Sequence, residues 1–113
     1  MRELLLLVFS QAGYTVESVA DGQQALDKVA SDPAFFHILI TDHQMPGFNG
    51  VTLVRRLRQA RFAGKIVVLA GALSARDHAS YRELSVDSIL SKPVPHAALL
   101  QTIEDLNDSQ RNA

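Results

Sequence analysis

Two charged side chains stand at the ends of apolar runs. Asp42 closes Ile38-Leu39-Ile40-Thr41, with Pro46 and Gly50 in the stretch that follows. Lys92 closes the run Val86–Ser91 and precedes Pro93. A buried strand that stops at an acid and hands over to a rigid loop puts that acid at the C-terminal edge of its sheet. In open α/β sheets this is where ligands and chemistry sit. Parallel strands bring their ends to one face, so the carboxylate and the ammonium can meet there. Such a pair suits phosphoryl transfer: the carboxylate is the nucleophile, and the positive group offsets charge on the acyl phosphate oxygens. A divalent cation normally completes such a site by bridging carboxylate and phosphate oxygens.

Each residue also has a plainer reading. Asp42 alone could be a polar strand terminus that caps a loop, and Lys92 a solvated lysine. His37, His43, His78 and His96 share no metal-ligand spacing and read as ordinary polar residues, with His43 notable for standing beside Asp42. Arg55, Arg56, Arg58 and Arg61 make a basic helix surface, read as a solvated face in preference to a docking patch. No Ser/His/Asp arrangement, glycine-rich phosphate loop or paired-carboxylate spacing is present, so a hydrolase has little support.

The elements that must position Asp42 and Lys92 follow from periodicity. Helix-like and strand-like stretches alternate with short turns, which argues for a parallel α/β sheet. Arg2 to Ala12 is expected to be a helix closed by Gly13. Leu4 to Phe9 is also an unbroken apolar run of strand length, but leucine rather than valine or isoleucine fills it. Tyr14 to Ala20 alternates like a strand. Asp21-Gly22 is a turn, Asp21 can cap the helix Gln23–Ser31, and Asp32-Pro33 breaks it. Phe36 to Thr41 reads as a central parallel strand covered on both faces. Val51, Leu53, Val54 and Leu57 mark the next helix. Lys65–Ala70 is a β-branched strand, Ser74–Leu84 a polar helix, Val86–Ser91 a short strand, and Pro95–Leu106 the last helix. The expected order is αβαβαβαβα, with right-handed crossovers and parallel strands.

Composition bounds the rest. The 113 residues make one domain, 1–113, with a polar tail at 107–113; 47 % are hydrophobic and 20 % charged. A net charge of −1 with interspersed signs gives no footprint for nucleic acid and no basic face for a membrane. Without cysteine there are no disulfides and no thiolate zinc sites. Leu4–Phe9 is too short to span a bilayer and lacks the features of a secretory signal, so a cytoplasmic location is expected.

From Arg2 to Leu106 the order of elements and the anchor residues resemble a response-regulator receiver domain of two-component signalling, a flavodoxin-like fold, without its first strand. The matching residues are Asp42 with Met45-Pro46 and Gly50, the Gly13-Tyr14 turn, Asp21-Gly22 followed by Ala25-Leu26, and Lys92-Pro93. The resemblance implies that Asp42 is the phosphoacceptor, that Lys92 pairs with the phosphate, and that the Lys92–Pro93 bond is cis. It implies Mg²⁺, held by Asp42 and the backbone carbonyl of Gln44. It also implies a sensor histidine kinase or phosphotransfer protein as partner.

The chain departs from the family in three respects. The apolar strand ending in two adjacent acids is absent, and Glu3 is the only acid nearby, which leaves a poor cage for magnesium. Ala70 stands where the family has a serine or threonine hydroxyl, with Ser74 too far along to replace it. Ile89 stands where the family has an aromatic. Phosphorylation of Asp42 is therefore expected to be impaired.

In the family the missing strand lies mid-sheet. Its loss would open a slot of roughly 10 Å between the strands at Val16 and Leu39. About five lost core side chains, at about 1.5–3 kcal/mol each, rival the whole stability of a domain. Two remedies are expected. The Tyr14–Ala20 strand could move in, giving a sheet of about four strands, or two chains could close their sheets by strand exchange in a homodimer, the favoured remedy. The leading reading is thus a receiver-like signalling module acting by partner binding. The alternatives are a phosphatase-like enzyme using Asp42 and a dimerisation module without chemistry.

Overall fold

A computed structural model describes residues 5–10, 14–18, 21–31, 36–44 and 49–111, with side chains for all but 5–10, 14–18, 96 and 107–111. Glu3, Gly13, Pro33, Met45 and Pro46, named above, lie outside the described residues.

The elements in chain order are β1 (Leu5–Ser10), β2 (Tyr14–Ser18), α1 (Gly22–Ser31), β3 (Ile38–Asp42), α2 (Gly50–Gln59), β4 (Lys65–Ala70), α3 (Ala75–Glu83), β5 (Ser88–Ser91) and α4 (His96–Arg111). The strands form one sheet in the order β2-β1-β3-β4-β5. β3, β4 and β5 are parallel, in the register Ile38↔Lys65 to Asp42↔Leu69 and Val67↔Ser88 to Ala70↔Ser91. This is the flavodoxin-like arrangement that the alternating pattern and the resemblance imply.

The segment expected to be the first helix is instead a strand. Leu5–Ser10 lies between β2 and β3 and runs antiparallel to both, with Leu6 opposite Ser18 and Leu5 opposite Thr41. A run of Leu-Leu-Leu-Val-Phe is apolar on both faces, as a central strand must be. The vacant sheet position, with its unpaired backbone groups, outweighs the modest helix preference of leucine. The gap that motivated strand exchange is closed within one chain. Only three residues, 11–13, separate β1 from β2, too few for a helical crossover, so the pair is antiparallel rather than parallel.

Alternate residues of the central strands feed two cores, as the period of two requires. Leu39, Ile66 and Val68 pack with Ala25 and Val29 of α1, Val54 and Leu57 of α2, Phe62, and Tyr81 of α3. Ile38, Ile40, Val67 and Leu69 face the other way, against Ile103, Leu99 and Leu106 of α4. The cap expected at Asp21 forms, and two further helix starts are capped in the same way. Asp21 Oδ1 accepts from Gln24 N (2.9 Å), Asn49 Oδ1 from Thr52 N (3.1 Å) and Ser74 Oγ from Asp77 N (3.1 Å). α4 continues past its expected end at Leu106 to Arg111.

Arg58 is not part of a solvated basic face. Its guanidinium donates to the carbonyls of Phe62 (2.8 Å), Gly64 (3.0 Å), Leu84 (2.9 Å) and Ser85 (2.8 Å). Those carbonyls belong to the turns that end α2 and α3, where Arg61 and Ser85 take positive φ of 70° and 61°. One planar cation thereby fixes two helix exits and the approach to β4. Burial lowers the pKa of this guanidinium from its ordinary value, with the nearby Asp87 carboxylate opposing the change.

Candidate functional site

β3 delivers Asp42 to the C-terminal edge of the sheet, and the chain leaving β5 delivers Lys92 to the same edge. The backbone fixes both. His43 N donates to Leu69 O (2.8 Å), and Lys92 N donates to Ala70 O (2.9 Å), so each chain is held to β4 as it leaves its strand. The Lys92–Pro93 peptide is cis. Lys92 Nζ lies 3.1 Å from Asp42 Oδ1, and the Asp42 side chain is only 3 % exposed. A carboxylate this deeply buried needs a counter-charge, and the half-exposed ammonium supplies it. The two residues singled out from the sequence are therefore brought together.

Beside them is a hollow of about 160 Å³ lined by His43, Gln44, Leu69, Ala70, Gly71, Ala72 and Lys92. The methyl group of Ala70 occupies the wall where a hydroxyl would donate. Ser74 does not replace it, because its hydroxyl caps α3. Ile89 is half-buried and packs against the core on the α3 side of the sheet.

His43, an ordinary polar residue by sequence, has specific partners in the structure. The residue is 8 % exposed. Its Nδ1 lies 2.6 Å from the hydroxyl of Tyr81, and its Nε2 lies 3.3 Å from Asp77 Oδ2. In the Nε2–H tautomer, Tyr81 donates to Nδ1 and the ring donates to Asp77. Asp77 and Tyr81 are four apart on α3, hence one turn apart on one face. That spacing, beside a histidine next to the strand-end acid, was the available signal. Tyr81 is fully buried. Burial, reinforced by the charge of Asp77, pushes its phenol well above its ordinary pKa. Gly50 stands against this pair. A Cβ there would collide with the Tyr81 hydroxyl and lie 3.1 Å from His43 Cα.

The donors for a cation are sparse. Asp42 Oδ1 is engaged by Lys92, and Asp77 by His43. Among the described residues, no three His, Asp or Glu side chains gather to hold a metal ion. An octahedral magnesium ion wants more oxygen than these residues offer, so they do not fit it. No described helix is long and apolar enough to cross a membrane.

The family model for the response regulator receiver domain matches residues 1–104. The chain belongs to the response regulator receiver domain family. Among curated relatives, this receiver domain is similar to the sensory/regulatory protein RpfC of Xanthomonas campestris pv. campestris, with 31 % identity over 97 % of the chain and 15 % of that protein. It is also similar to the response regulator MprA of Mycobacterium avium, with 33 % identity over 94 % of the chain and 46 % of that protein. It spans less than half the length of either. Among solved structures, the Vibrio cholerae chemotaxis protein CheY4 matches this receiver domain with a TM-score of 0.72 and 31 % identity, over 84 % of this chain and 79 % of that one.

Proposed function

We propose that this receiver domain takes part in a phosphorelay, with Asp42 as the phosphoacceptor and Lys92 as the phosphate-pairing cation. The observation that carries the reading is the pairing of buried Asp42 with Lys92, 3.1 Å apart at the strand ends beside a hollow of phosphoryl size. In the transfer, an Asp42 oxygen attacks phosphorus, a P–O bond forms, and the P–N bond of a phosphohistidine breaks. The released imidazole keeps the electron pair and takes a proton from water. Lys92 offsets charge on the phosphoryl oxygens.

Phosphorylation is impaired in this reading. Ala70 donates no hydrogen bond, and the described residues form a poor magnesium site. The domain then acts chiefly by binding partners, a sensor histidine kinase or a phosphotransfer protein. The receiver-bearing relatives support that class of partner, since they include the sensor histidine kinase RcsC of Salmonella typhi. A homodimer belongs to the same reading. With the sheet closed within one chain, such a dimer would have to form through outer surfaces rather than by strand exchange. Sedimentation at micromolar concentration that shows only monomer would end that part.

Incubation with a small-molecule phosphodonor and magnesium, followed by intact-mass measurement, tests the chemistry. A slow, substoichiometric gain of one phosphoryl group, absent in Asp42→Ala, is expected. No gain at all removes Asp42 as an acceptor. Steady turnover of a chromogenic phosphoester, lost in the same variant, would replace this reading with the phosphatase-like one.

A further inference from the structure

We infer that His43 and Tyr81 form a positioning link through which the state of Asp42 is felt by α3 and by the groove between α3 and β5. Three observations carry this inference. First, His43 is the residue after Asp42, and its backbone is held on both sides: its N–H donates to Leu69 O, and its carbonyl accepts from Gly50 N (2.6 Å). A displacement at Asp42 is therefore passed to His43 with little slack. Second, the His43 ring reaches α3 at two points one turn apart, Tyr81 at 2.6 Å and Asp77 at 3.3 Å. The rings of His43 and Tyr81 meet edge to face, with centroids 5.6 Å apart and planes at 74°. A ring held at two points transmits rotation as well as translation.

Third, the pair stands between two hollows. His43 lines the hollow beside Lys92, whereas Tyr81 lines a separate groove of about 300 Å³ with His78, Arg82, Val86, Ser88 and Ile89. Tyr81 is fully buried, and its hydroxyl lies so close to Gly50 that a Cβ there would collide with it. A shift of the acceptor loop must break the hydrogen bond to Tyr81 or carry α3 with it. Packed interiors respond to such choices by switching between arrangements rather than deforming continuously. Ala70 lacks a hydroxyl and Ile89 an aromatic ring, whereas this hydrogen-bonded route is one that the described residues do provide.

The link goes beyond the phosphorelay reading and does not need it, because removing the charge at residue 42 is itself a perturbation. The experiment compares amide NMR spectra of the ¹⁵N-labelled full chain with and without Asp42→Asn, in three backgrounds. In the native background, the amides of Asp77, His78 and Tyr81 are expected to shift well beyond those of Phe62–Lys65, at the far edge of the sheet. In His43→Phe and in Tyr81→Phe, the α3 response falls to that far-edge level while the responses at Ala70 and Lys92 persist. Static changes from either background cancel in the difference, so a merely structural role would leave the response in place. His43→Gln, which keeps a donor and an acceptor, is expected to restore it. Tyr81→Phe removes one oxygen and keeps the packing, so it serves even where His43→Phe folds poorly. An α3 response that is absent in the native background, survives intact in Tyr81→Phe, or is not restored by His43→Gln overturns the inference.

Discussion

Lys92 Nζ reaches across the end of β4 to lie 3.1 Å from Asp42 Oδ1, so two residues far apart in the chain form one electrostatic unit at the sheet edge. Removing one member should leave the other worse off than removing both. Lys92→Met strands a buried carboxylate, and Asp42→Asn leaves only a half-exposed ammonium. The double variant is expected to be more stable than the sum of the single effects predicts. The coupling should be about 0.5–3 kcal/mol in urea unfolding at pH 7. Strict additivity would mean that the two groups do not interact in solution.

The Tyr81 phenol gives the fold an alkaline limit. Its folded pKa is raised, chiefly by burial and secondarily by Asp77, above the ordinary value of 10.0. Above about pH 10 the unfolded chain loses a proton that the folded chain keeps, so stability falls as pH rises. The contribution is fully present below pH 10. Tyr81→Phe should flatten the decline in denaturant midpoint between pH 9.5 and about 11.5, with little effect on its shape near pH 7.

Gly50 is required by contact rather than by backbone conformation. Gly50→Ala drives a methyl group into the Tyr81 hydroxyl and is expected to destabilise by about 1–3 kcal/mol. The same substitution made on Tyr81→Phe should be milder, because the atom it meets is gone. Thermal unfolding of the four chains settles this. Equal losses in both backgrounds would locate the clash elsewhere.

Arg58→Lys keeps the charge and loses the fork that serves four carbonyls. A loss of at least about 2 kcal/mol is expected from the carbonyls left unpartnered. Arg55→Lys, on the exposed face of the same helix, should be nearly neutral. Denaturant midpoints of the two variants make the comparison.

Much of this arrangement was legible in the chain. β4 was readable from the β-branched run 65–70, α2 from the spacing of Val51, Leu53, Val54 and Leu57, and the Asp42–Lys92 meeting from their places at the ends of apolar runs. The nature of β1 was not. A run of six apolar residues has no period that separates a doubly covered strand from a buried helix, and only the vacant place in the sheet decides it. Its direction was equally hidden, because a strand apolar on both faces looks the same read either way. The role of Arg58 is not legible, because an arginine in a cluster of arginines carries no mark of the carbonyls that will surround it. The role of His43 is hidden because its partners lie far downstream, on a helix whose sequence looks polar throughout.

The reversal of β1 has a practical corollary. Leu5 is paired with Thr41, beside Asp42, whereas Ser10 lies at the far end of the strand. A probe attached at Leu5 would therefore sit at the sheet edge that carries Asp42 and Lys92. It would report a change at that edge, which a probe at Ser10 would not do.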